Sequence, residues 1–126
     1  MKNPVIVTAV RTPIARARKG ALVSKDAFQL AEVAVKGVVE RSKIDPKEID
    51  DVVIAESLQG GGVIARHTAV VLGLQSVPGL ATNRHCAAGL GAISIGAGSI
   101  AAGMDRVVLA GGTESSSTPA LAAASA

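Results

Sequence analysis

Aromatic side chains are almost missing from this chain: in 126 residues there is no Trp, no Tyr and a single Phe, Phe28. A core must therefore be filled by Val, Ile and Leu, with Gly and Ala letting backbones approach closely. Cysteine is nearly as scarce. Cys86 stands alone, which excludes an internal disulfide and a four-cysteine metal site. With His67 and His85 as the only histidines, no structural zinc site and no bound metal is expected. Charge of one sign is not concentrated enough to mark a nucleic-acid protein. The net charge is only +3, and the basic group Arg11, Arg16, Arg18, Lys19 and Lys25 has no aromatics between its members for base stacking. That group is read as a solvated loop, with attraction to an anionic ligand or partner as the alternative. No secretory signal is visible, and no apolar stretch is read as long enough to span a bilayer. A reducing cytoplasmic setting, with no membrane and no nucleic acid, is the expectation.

What is present suits a globular domain, at 48% hydrophobic and 18% charged residues. Pro4–Val10 is short, β-branched and almost wholly apolar, as a strand buried on both faces should be, and Pro13 lies just beyond its end. A basic loop follows to about Lys25. The spacing of Phe28, Ala31, Val35, Val38 and Val39 predicts a helix over 26–42, capped by Ser24 or Asp26. Asp45-Pro46-Lys47-Glu48 reads as a short helical turn, Asp51–Ala55 as a second buried strand, and Val63–Leu74, after Gly60-Gly61-Gly62, as a helix. Pro78–His85 is predicted as a strand and Cys86–Gly103 as a helix without a single charge. A helix apolar all round is expected to be buried all round. Arg106–Ala110 is predicted as the last strand, ending in Gly111-Gly112. The order β-α-β-α-β-α-β implies an α/β fold, a mostly parallel sheet with helices on both faces. Residues 1–114 are read as one portion of a domain. Residues 115–126 are read as the start of a further loop region, in which the chain stops in mid-structure.

Cys86 is the leading candidate for chemistry. It stands where a strand gives way to an uncharged helix, so its sulfur meets free N–H groups and the positive end of the helix dipole. Sites of that kind favour the thiolate and bring a cysteine pKa from about 8.5 down to roughly 3.5–7.5. A strand-to-helix turn also presents the sulfur at the carboxyl edge of the sheet, where open α/β sheets bind ligands. The competing reading is a buried cysteine acting as a small apolar residue. His85 adjoins Cys86, but on a strand neighbouring side chains point to opposite faces, which places it badly as a base. His67 is read as a surface or interface residue. Gly96-Ala97-Gly98-Ser99-Ile100-Ala101 fits the dinucleotide fingerprint by spelling alone. That fingerprint needs a strand just before it, whereas here it falls inside a helix, so no nicotinamide site is expected. Gly111-Gly112-Thr113-Glu114-Ser115 is either an ordinary strand-ending turn or a close approach of backbone to another segment.

Four separated stretches resemble thiolases, in the order that family has them. They are Val5–Ile14, with Val10-Arg11-Thr12-Pro13; Ala65-Arg66 after the glycine-rich turn; Asn83-Arg84-His85-Cys86-Ala87-Ala88-Gly89-Leu90; and Gly111–Ser115. The resemblance implies half of an α/β/α layered thiolase domain, incomplete, with the small-residue helix at its centre. It implies that Cys86 is the acyl-accepting nucleophile and that its backbone N–H helps hold the oxyanion. It also implies coenzyme A thioesters as substrates, with no permanently bound cofactor, and a homo-oligomeric full-length enzyme paired through the Leu80–His85 edge. Ala88, Ser116 and Val63 stand where the family often has Ser or Thr, Met, and Asn, which bears on acyl-chain preference. The family's downstream Gly-His-Pro histidine and Cys-x-Gly second cysteine are not in these 126 residues, nor are most coenzyme A contacts, so the chain alone is expected to be inactive. Two alternatives stay open: a ketoacyl-synthase-type condensing enzyme, and a non-catalytic thiolase-fold assembly protein.

Overall fold

The computed structural model describes residues 1–118. Helix α1 (Ala27–Ser42) starts where Asp26 and Gln29 exchange hydrogen bonds. The Gln29 N–H donates to Asp26 Oδ1 at 2.8 Å, and the Asp26 N–H donates to Gln29 Oε1 at 3.2 Å. This reciprocal cap satisfies two donors that the first helical turn would leave open. A 3-10 turn over Pro46–Glu48 follows, its Lys47 N–H held by Asp45. Then come β1 (Asp51–Ala55), α2 (Ile64–Val71), β2 (Gly79–Thr82), α3 (Ala88–Ala102) and β3 (Val108–Gly112).

The three strands form one parallel sheet in the order β2-β1-β3. Alternation along β1 divides the core. Val52 and Ile54 face α1 and α2, meeting Ala31, Val35, Ile64, Ala65 and Ala69. Val53 and Ala55 face α3, meeting Ala88 and Ala92. The α/β/α layering and the parallel sheet agree with the sequence reading.

Three expectations need correction. Residues 4–10 form no strand, and Val5, Ile6 and Val7 are each at least two-thirds exposed. A β-branched run favours extended backbone, but a strand exists only beside a partner, and no described strand lies beside this segment. Ahead of it, the Lys2 N–H donates to the Ala101 carbonyl at the far end of α3, at 3.3 Å. The last strand also starts later than predicted. Asp50 Oδ2 accepts the Arg106 and Val107 N–H groups at 2.7 and 3.0 Å, delaying entry into the ladder until Val108.

The third correction concerns α3. It is apolar all round, yet only its sheet-facing side is buried, through Ala88, Gly91, Ala92 and Gly96. Leu90 is 71% exposed on the other side, with Ile93 and Ile95 also exposed. The eighteen residues His85–Ala102 are moreover long and apolar enough to cross a bilayer, contrary to the sequence reading. Length and hydropathy alone do not separate a membrane span from a helix of a globular core, and this helix packs one face on β1 and β3.

Candidate functional site

Parallel pairing ends the three strands at one level, with Ala55 opposite Thr82 on one side and Gly112 on the other. The segments leaving β1, β2 and β3 therefore share one edge, the carboxyl edge, where ligands of open parallel sheets bind. After β1 the chain makes a turn through Gly60, Gly61 and Gly62, all at positive φ. Glu56 holds that turn: its carboxylate accepts the N–H groups of Gly62 and Ile64, the latter at 3.2 Å. Glu56 is 93% buried, so it serves as an anionic cap at the start of α2.

After β2, Asn83 shapes the turn that carries Cys86. Its Oδ1 accepts the His85 N–H at 2.8 Å, and its Nδ2 donates to the Ser57 carbonyl at 3.4 Å, tying this turn to the β1 loop. His85 takes a left-handed conformation, φ +50°. The strand has already ended at Thr82, so the expectation that His85 sits on a strand is corrected. Two tight turns follow, Ala87 N–H to Arg84 carbonyl and Ala88 N–H to His85 carbonyl, and α3 starts at Ala88.

Cys86 thus lies just ahead of the helix rather than as its first residue, with its free thiol exposed at the edge. No side chain caps α3. Among the described residues the backbone N–H groups of Cys86, Gly89 and Leu90 have no acceptor. The site therefore combines an accessible sulfur with unsatisfied amide donors from its own residue and the first turn of the helix.

After β3, Gly112 lies against the start of α3. A Cβ there would come within 3.0 Å of the Ala55 Cβ and 3.5 Å of the Gly89 Cα, so the glycine leaves room for the Ala55 side chain. Thr113 Oγ1 donates to the Ala27 carbonyl at 2.9 Å, and Glu114 accepts the Leu58 N–H at 3.4 Å. Buried Ser115 donates through its Oγ to the Lys25 carbonyl at 2.9 Å. The buried Gln59 amide donates to the carbonyls of Ser115 and Thr118, both at 3.2 Å. The Gly111–Ser115 stretch is thus a latch binding the β1 loop, the start of α1 and the exit from β3.

His67 is not brought to the sulfur. Its Nε2 lies 3.0 Å from Glu32 Oε1, and its ring meets Phe28 edge-on at 4.8 Å, so it joins α2 to α1. The Gly96–Ala101 spelling lies inside α3 with no strand before it. A Cβ on Gly96 would touch the Val108 side chain at 3.0 Å, so this glycine seats the helix on the sheet. No group of three or more His, Cys, Asp or Glu side chains suited to a metal ion occurs among the described residues.

Sequence reasoning missed Glu56, Gln59 and Asn83. A signal existed for the first, since an acid just ahead of three consecutive glycines can brace an otherwise unsupported turn. None existed for Gln59, whose partners are 56 and 59 residues away.

Comparison with known proteins draws these features together. The family model for the thiolase N-terminal domain matches residues 4–126. The acetyl-CoA acetyltransferase of Escherichia coli K12 is 38% identical over 120 residues, covering 93% of this chain and 30% of its own length. A 3-ketoacyl-CoA thiolase of Pseudoalteromonas translucida is 35% identical over 119 residues, covering 90% and 31%. The crystal structure of the Acat5 thiolase of Ascaris suum in complex with coenzyme A superposes with a TM-score of 0.85 at 33% identity, covering 94% and 31%. The chain spans about a third of the length of these relatives. A layered parallel α/β unit, a cysteine at the mouth of a small-residue helix and a match along nearly all its residues place this chain in the thiolase family, as N-terminal domain sequence.

Proposed function

We propose that this chain is the nucleophile-bearing part of an acyltransferase acting on coenzyme A thioesters, with Cys86 as the acyl acceptor. The observation that carries this reading is the exposed Cys86 thiol directly ahead of the open N–H groups of α3. The Cys86 thiolate adds to the carbonyl carbon of an acyl-CoA, and the carbonyl oxygen takes the negative charge. The Cys86 N–H is a donor for that oxyanion, and the unbonded amides of Gly89 and Leu90 add positive potential at the same point. Collapse breaks the carbon–sulfur bond to coenzyme A, whose thiolate leaves and takes a proton. The product is an S-acyl Cys86. In synthesis the carbanion of a second acetyl-CoA takes the acyl group. In thiolysis the thiolate adds to the 3-keto carbon of a 3-ketoacyl-CoA and the bond between carbons 2 and 3 breaks. Acetyl-CoA leaves as a carbanion that takes a proton, and the thiol of coenzyme A then takes the acyl group from Cys86.

Carbanion formation needs a proton-moving group, and neither a Gly-His-Pro nor a second cysteine is in this chain. The 126 residues alone should therefore not turn over acetoacetyl-CoA, measured as loss of enolate absorbance with coenzyme A present. Residues 1–114 are proposed as the first portion of the domain and 115–126 as the entry to a loop region, of which 119–126 lie outside the described residues. The reading further places the full-length enzyme in the cytoplasm as a homo-oligomer paired along the β2 edge near Leu80, which is 44% exposed. Alkylation tests the central assignment. In the folded chain at neutral pH iodoacetamide should modify Cys86 faster than in the urea-unfolded chain. A folded-state rate equal to or below the unfolded one removes the basis for the proposal.

A further inference from the structure

The basic loop ahead of α1 does more than solvate. Arg16, Ala17, Arg18 and Lys19 line, together with Ser116, an open recess of about 440 Å³. Three basic residues thus line one concavity, and among the described residues no carboxylate lies within ion-pairing distance of any of them. The loop's course is held by hydrogen bonds. The Gly20 N–H donates to the Arg16 carbonyl at 2.7 Å, and the Val23 N–H to the Gly20 carbonyl at 3.2 Å. Arg18 sits in the left-handed region, φ +66°, while its N–H donates to Ser117 Oγ at 2.9 Å. A non-glycine residue holds that conformation only where its surroundings impose it. The loop is therefore pinned to the segment leaving β3, which brings the three basic residues and Ser116 to a common wall.

We propose that the Arg16–Arg18–Lys19 recess is a phosphate-binding site. Two guanidinium groups offer forked donors that match phosphate oxygens, and the ammonium adds a point charge beside them. A single-stranded nucleic acid would need stacking platforms, and Phe28, the lone aromatic, is engaged with His67. The recess belongs to the carboxyl edge through Ser116, because Ser115 and Glu114 bond to the β1 loop. The site is argued from this loop alone and does not depend on Cys86. The phosphate can belong to a coenzyme A thioester bound at that edge or to a free phosphate compound.

The test is a titration of the full 126-residue chain followed by amide nitrogen–proton spectra. Inorganic pyrophosphate, coenzyme A and pantetheine are the three probes. Pyrophosphate should shift the amides of Arg16–Gly20, Ser116 and Ser117, with a dissociation constant on the order of 1 mM that weakens as salt is raised. Pantetheine, which carries no phosphate, should leave them in place. The double substitution Arg16→Gln with Lys19→Gln should weaken pyrophosphate binding at least about tenfold. Unchanged amides elsewhere would show that this variant is folded. Tighter binding of coenzyme A than of pyrophosphate assigns the phosphate to the thioester substrate, and equal binding assigns it to a free compound. Shifts spread over all surface cations, or persisting in the double variant, overturn the site. Alkylation of Cys86 reads the acyl-transfer proposal separately, so the two can fail independently.

Discussion

The two faces of the sheet differ in how far this chain completes them. On the side of α1 and α2, buried residues from both helices, from β1 and from the loops at Ile49, Leu74 and Val77 close into one cluster. On the side of α3 the buried residues are few and small, Val53, Ala55, Ala88, Gly91, Ala92 and Gly96, and the outer surface of the helix shows Leu90 and Ile93 to solvent. One strand, β1, serves both faces. The difference teaches that stability and the proposed chemistry draw on opposite sides of the same sheet. The closed face holds the fold, whereas the sparse face carries the sulfur.

That contrast can be broken by substitution. The largest effect is expected on the closed face. Ile64→Ala removes a fully buried side chain from that cluster and should cost about 3 kcal/mol in urea unfolding. A loss below about 1 kcal/mol would mean that the face is looser than its burial indicates. Next comes the cap of α2. Glu56→Ala leaves the Gly62 and Ile64 N–H groups without their acceptor and should cost about 2 kcal/mol, with faster amide exchange at both positions.

A smaller, pH-dependent effect is expected at the opposite edge. The backbone N–H groups of Arg106, first, and Val107 hold the Asp50 carboxyl below its usual value. A carboxyl depressed in the folded state stabilises fully above its unfolded pKa of about 4, and that contribution fades as pH falls through the lower folded value. Asp50→Asn should therefore lower stability at neutral pH and flatten the acid limb of the stability curve, read by thermal unfolding from neutral pH downward. The smallest effect belongs to the open face. Leu90→Ser should change stability by less than about 0.5 kcal/mol, because the side chain it removes is mostly in water already. A loss as large as that of Ile64→Ala would show that something covers α3 in solution.

The same two faces explain what the sequence made legible. Asp51–Ala55 was readable to its ends, because the four-residue apolar run Val52–Ala55, bounded by Asp51 and Glu56 and buried on both faces, leaves little choice. The cap at Asp26 was readable because its partner Gln29 is three residues away. The Cys86 helix was readable as a helix, though not its exposure, since hydropathy records what a side chain prefers and not what stands beside it. Val5–Val7 failed for the same reason: extended propensity names no partner. His85 carried no signal for positive φ, because its backbone is set by Asn83 and the turns after it rather than by its own side chain. Of the site, the sulfur and the Gly-Gly turn were visible in one dimension. The Glu56, Gln59 and Ser115 contacts were not, as they span segments distant in the chain.

The missing side chain of Gly112 leaves room for the Ala55 side chain beside the start of α3. A single methyl at position 112 would press on the Ala55 side chain at 3.0 Å while meeting the Gly89 Cα at an ordinary 3.5 Å, so the fit of β3 beside β1 is what would have to give. The spacing of the two strands below the Cys86 turn is therefore set by an atom that the chain leaves out.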